Sequence, residues 1–78
     1  MEEQKIKQDK IRIGQNIRHI RIERGIGQTE LVRKLQLDGI EITRETLVKI
    51  ERGTQHIQAT QLRAIKEALG TTYEELFQ

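Results

Sequence analysis

The sequence predicts an all-α domain built from five short helices. Three observations carry that prediction: apolar residues recur at three- and four-residue intervals, glycines separate the periodic segments, and no stretch reads convincingly as a strand. The 78 residues suffice for one small domain and not two. Proline is absent, so the punctuation falls to Gly25, Gly27, Gly39, Gly53 and Gly70.

The first helix is expected over about 11–24, where Ile13, Ile17 and Ile20 recur at i, i+4 and i+7 among Arg12, Arg18, Arg21 and Arg24. Gly25 ends it. The polar residues before it make 1–10 a flexible N-terminal tail and 11–78 the folded domain. A second helix starts at Gly27 or Gln28, with Glu30 in its first turn complementing the helix dipole. Leu31, Val32 and Leu35 give it a buried stripe. Gly39 is a left-handed stop, with Ile40 placed for the apolar contact that accompanies such a cap. Thr43 can cap the third helix with its hydroxyl, and Leu47 and Ile50 form the inward stripe before Gly53. The fourth runs over about 59–69 on Leu62, Ile65 and Leu69, and stops at Gly70. A last short helix follows from two overlapping Thr-x-x-Glu capping boxes, starting at Thr71 and Thr72.

Composition removes several function classes. Without cysteine there is neither a disulfide scaffold nor a thiolate metal site, and His19 and His56 are too few for structural zinc, so no metal or cofactor is expected. No apolar run approaches membrane-spanning length, and the charged segment from Met1 to Lys10 leads into no signal-peptide core. A soluble, cytoplasmic protein is the expectation. Its charge is uneven: residues 10–52 carry ten basic and six acidic side chains, a net of +4, whereas 1–9 and 53–78 each carry a net of −1. A basic middle with a mildly acidic end suits a domain that turns one face to an anion and another to a protein.

The two short helices at 28–37 and 43–52 make the pattern specific. Gln28-Thr29-Glu30-Leu31-Val32, followed by Thr43-Arg44-Glu45-Thr46-Leu47-Val48-Lys49-Ile50-Glu51-Arg52-Gly53, resembles the helix-turn-helix of the lambda-repressor-like (Xre/Cro) family of DNA-binding proteins. Ile17 to Gly25 resembles that family's first helix, and Leu62 to Phe77, with Ala68-Leu69-Gly70 and Glu74-Glu75-Leu76-Phe77, its fourth and fifth. The resemblance covers about residues 11–77, and Ile-Glu-Arg-Gly at 50–53 is its most distinctive piece.

The second helix of such a pair lies in the DNA major groove while the first crosses the backbone. Arg44, Glu45 and Lys49 share one face of the third helix, opposite Leu47 and Ile50. The resemblance makes these three the base-reading residues. Arg44 suits guanine through its forked donors, Glu45 suits cytosine as an acceptor, and Lys49 suits guanine or a phosphate. It likewise implies backbone contacts from Gln28, Thr29, Thr43, Thr46 and Gln55, with His56 read as an ordinary exposed side chain. Arg21 and Glu51 match an arginine and glutamate that pair as a structural ion pair between the first and third helices. Members generally bind as twofold dimers, and Tyr73, Leu76 and Phe77 are the expected dimer interface, with closure of the monomer core the alternative for Leu76 and Tyr73.

Three features depart from the family pattern. Gly27 stands at the usual Ser/Thr cap, the segment after Gly53 is poor in Lys and Arg, and Gln36-Leu37-Asp38-Gly39-Ile40-Glu41-Ile42 makes an elongated turn between helices two and three, about five residues longer than usual. The expected function is sequence-specific double-stranded DNA binding by a bacterial or phage transcriptional repressor, a homodimer open to a regulatory protein partner. The alternative is a protein-interaction module or antitoxin of the same fold, with DNA binding secondary. An enzyme is not expected: there is no Ser/His/Asp or Cys/His arrangement, Gly25-Ile26-Gly27 follows a helix and is no phosphate loop, and Glu74 and Glu75 face different directions.

Overall fold

Each of the first four helices forms because an aliphatic stripe finds a common core, and each stops where a glycine turns the chain. The computed structural model describes Lys5, Ile6 and residues 12–78. Along these the order is β1 (Lys5–Ile6), α1 (Ile13–Glu23), α2 (Gln28–Leu37), α3 (Arg44–Arg52), β2 (Ile57–Gln58), α4 (Ala59–Leu69) and α5 (Tyr73–Leu76). α1 packs against α3, α4 and α5, and α2 packs against α3 and α4. The expected stripes are all buried: Ile13, Ile17 and Ile20 from α1, Leu31, Val32 and Leu35 from α2, Leu47 and Ile50 from α3, and Leu62, Ile65 and Leu69 from α4. The buried apolar core is wholly aliphatic, with Tyr73 and Phe77 left on the surface.

Of the two expectations for Leu76, a dimer face with Tyr73 and Phe77 or closure of the monomer core, the structure shows the second and corrects the first: Leu76 is 0 % exposed within the core of its own chain. Asn16 holds that end of the chain against α1, donating from Nδ2 to the main-chain oxygens of Leu76 at 2.8 Å and Gln78 at 2.9 Å.

The elongated connection between α2 and α3 is packed rather than loose. Gly39 adopts φ +82°, a conformation that L side chains enter only with strain. This lets the Gly39 amide reach the Gln36 carbonyl and the Ile40 amide reach back to the Leu35 carbonyl, each at 3.0 Å. Ile40 then packs on the core, Ile42 is buried within it, and Gln36 Nε2 donates to the Ile42 carbonyl at 2.9 Å. The start of α3 is thereby anchored by two isoleucines and a side-chain bridge.

A small sheet stands where a flexible tail and no strand were expected. Lys5 lies opposite Gln58 and Ile6 opposite Ile57, antiparallel. Ile6 packs against the core beside fully buried Ile57, which supplies the apolar contact that holds so short a pair. The remainder of the expected tail, and residue 11 of the expected first helix, lie outside the described residues.

Thr71 is buried, and its hydroxyl has no hydrogen-bond partner among the described residues. An unsatisfied buried hydroxyl is destabilising, and valine replaces it with a methyl of similar size. Thr71→Val is expected to raise the unfolding free energy by about 1 kcal/mol, read as a higher urea midpoint at unchanged slope.

Candidate nucleic-acid interface

α3 is held at both ends by local chemistry. The Thr43 Oγ1 accepts the Thr46 amide at 3.1 Å and also contacts the Thr46 hydroxyl at 3.0 Å, capping the first turn. At the other end Gly53 takes φ +79°, and the Lys49 carbonyl accepts both the amide and the hydroxyl of Thr54, at 3.0 and 3.2 Å. Between these caps Leu47, Ile50 and Glu51 are buried, while Arg44, Glu45 and Lys49 are exposed. The helix therefore shows water a face of long, charged side chains and seats itself by its aliphatic face.

Glu51 is the polar exception on the seated side. Its Oε2 accepts from Arg21 Nε at 2.8 Å and its Oε1 from an Arg21 Nη2 at 2.9 Å, a two-pronged pair with side chains 8 % and 2 % exposed. The third guanidinium nitrogen of Arg21, Nη1, donates to the Ile26 carbonyl at 2.9 Å, inside the turn between α1 and α2. Gln28, the first residue of α2, adds a bond from Nε2 to Glu51 Oε1 at 3.1 Å. The Arg21–Glu51 pair thus joins α1, the following turn, α2 and α3. The hydrogen bonds that Arg21 donates to Glu51 raise the Arg21 pKa above its ordinary value, outweighing the opposing effect of burial, and the charge attraction adds to them. The raised pKa keeps the Arg21 guanidinium charged throughout the neutral range, and the arginine's share of the stabilisation is lost only as pH climbs through its folded value.

The other expected site residues fall into groups. Thr29 is exposed beside half-buried Gln28 at the start of α2, and Thr43 and Thr46 lie at the start of α3. Gln55 is half-buried and His56 exposed in the segment after α3. Gln28 has a structural tie that its sequence position does not reveal: one NH2 hydrogen goes to Glu51, leaving the second for another acceptor. Tyr73 and Phe77, at 44 % and 38 % exposed, meet edge to face with centroids 6.3 Å apart, and the Lys66 ammonium sits 4.8 Å from the Tyr73 ring centroid.

Two successive helices, the second seated by the first and presenting a charged outward face, are the arrangement of a helix-turn-helix, and the family model described as a helix-turn-helix domain matches residues 14–78. The chain belongs to the helix-turn-helix domain family. Comparison with curated proteins and with solved structures gives no match. A helix-turn-helix domain is a DNA-binding, non-enzymatic type of domain, so the exposed side of α3 is the face to consider for DNA. Among the described residues no helix is long and apolar enough to cross a membrane, and no group of three or more His, Asp or Glu could hold a metal ion.

Breaking the buried pair from one side strands a charge. Glu51→Ala is expected to lose about 3–5 kcal/mol of stability, whereas Arg21→Met with Glu51→Leu recovers much of that loss by replacing both charges with apolar volume. Urea unfolding of the single and double variants checks this, and a double variant no more stable than the single one would contradict it.

Proposed function

We propose that this helix-turn-helix domain is a sequence-specific, double-stranded DNA-binding regulator of the lambda-repressor-like (Xre/Cro) type. In this reading it is a bacterial or phage repressor, acting in the cytoplasm by occupying an operator. The observation that carries the reading is the division of α3 into a seated face of Leu47, Ile50 and Glu51 and an exposed face of Arg44, Glu45 and Lys49. Long polar side chains on a rigidly seated helix are what major-groove reading requires. Arg44 donates its fork to a guanine, Glu45 accepts from a cytosine amine, and Lys49 reaches a guanine or a phosphate.

Backbone contacts position the domain without conveying sequence. Thr29 and the second NH2 hydrogen of Gln28 approach a phosphate at the start of α2, where free amides already favour an anion. Thr43 and Thr46 do the same at the start of α3, and Gln55 beyond its end. Two copies pair through the exposed Tyr73 and Phe77, so that the two α3 helices read half-sites of a palindrome.

Selection from a randomised pool of DNA duplexes at near-physiological salt tests the reading. The expected product is a palindrome with half-sites about one helical turn apart. Arg44→Ala is expected to relax preference at one base pair of each half-site, losing about 1–3 kcal/mol of discrimination while leaving the fold intact. If no sequence is enriched and residual binding disappears with modest salt, the domain is a protein-interaction module instead.

A further inference from the structure

The sheet formed by β1 and β2 brings a lysine from near the start of the chain to the far end of α3. Strand residues alternate in direction, and Ile6 and Ile57 take the inward positions, so Lys5 and its neighbour Gln58 lie on the outward side. Lys5 is exposed, and it borders a surface hollow of about 390 Å³ together with Thr54, Gln55, His56, Gln58 and Gln61. Thr54 is the residue clamped to the Lys49 carbonyl, so the hollow begins where the last turn of α3 ends. Its lining contains one ammonium, hydroxyl, carboxamide and imidazole groups and, among the described residues, no carboxylate. The side-chain oxygen of Gln61 is already committed to the Gln58 amide at 3.0 Å, so the polar end it retains for a ligand is a donor.

We propose that this hollow is a phosphodiester-binding site for the DNA backbone next to the sequence that α3 reads, with Lys5 supplying its charge. The inference rests on the DNA-binding reading and adds to it a residue from β1. A cation beside several hydrogen-bond donors, with no opposing carboxylate among the described residues, matches a phosphate better than it matches an acidic peptide, whose recognition needs a longer basic track. It also offsets the scarcity of Lys and Arg after Gly53, since the missing charge arrives through strand pairing instead of from the adjacent sequence.

The test is the salt dependence of binding to the duplex enriched by selection, compared among the unaltered protein, Lys5→Gln, Lys5→Arg and Arg63→Gln. Arg63 is an exposed cation paired with Glu67 on α4 and serves as the equal-charge control. Each lost phosphate contact reduces the slope of log K against log salt by about 0.9. Lys5→Gln is expected to show that reduction per protomer with sequence preference unchanged, Lys5→Arg to restore the slope, and Arg63→Gln to leave it unaltered. Equal slopes for Lys5→Gln and the unaltered protein overturn the proposal while leaving the DNA-binding reading in place, and so does an equal reduction from Arg63→Gln. Failure of the unaltered protein to retain any duplex overturns both. Circular dichroism checks that the variants keep the helical content of the parent.

Discussion

The Glu51 carboxylate is the point on which the arrangement of the first three helices depends. An aliphatic core of isoleucine, leucine and valine favours burial but is poor at specifying one arrangement over a slightly shifted one, because dispersion and the hydrophobic effect have little direction. The Arg21 fork has direction. It fits both oxygens of Glu51 and the Ile26 carbonyl only when α1, its following turn and α3 stand in one relation, and the Gln28 amide adds α2 to the same constraint. Burying two charges offsets much of the Coulombic gain, so the pair contributes orientation more than net stability. For a domain whose task is to present one helix at a fixed angle, orientation is the property that matters.

The connection between α2 and α3 serves the same end by different means. A tight turn holds two helices by lack of slack, whereas a longer one must be tied down. Here the glycine stop at Gly39, half-buried Ile40, buried Ile42 and the bond from Gln36 to the Ile42 carbonyl tie it at successive points. The extra length therefore costs little in mobility at the Thr43 cap, from which the exposed face of α3 begins. Exposed Leu37 is the one large apolar side chain on that stretch not absorbed by the packing.

Much of the fold was legible because its signals are local. Gly25, Gly39, Gly53 and Gly70 all take positive φ and follow the helices they were expected to end, and the 3.6-residue periodicity identified the buried stripes of α1 to α4. The β1–β2 pair was not legible, since two residues leave no periodic trace and their partner lies some fifty positions away. Leu76 was ambiguous for a related reason: a short helix near a chain end gives too few turns to tell its inner from its outer side. On the candidate site, the exposed trio on α3 follows from helix geometry alone. The bond from Gln28 to Glu51 does not, because it depends on how three elements meet in space.

In the proposed function the Glu51 cluster sets α3 so that its outward face meets DNA. The most direct measurement is a titration of the isotopically labelled protein with a duplex, following amide chemical shifts along the chain. The perturbed amides are expected to cluster at the start of α2 around Gln28 and Thr29 and along α3 from Thr43 to Lys49, while those around Tyr73 and Phe77 shift only as far as pairing of two copies requires. Perturbations confined to the α5 side, with α3 unmoved at saturating duplex, would contradict it.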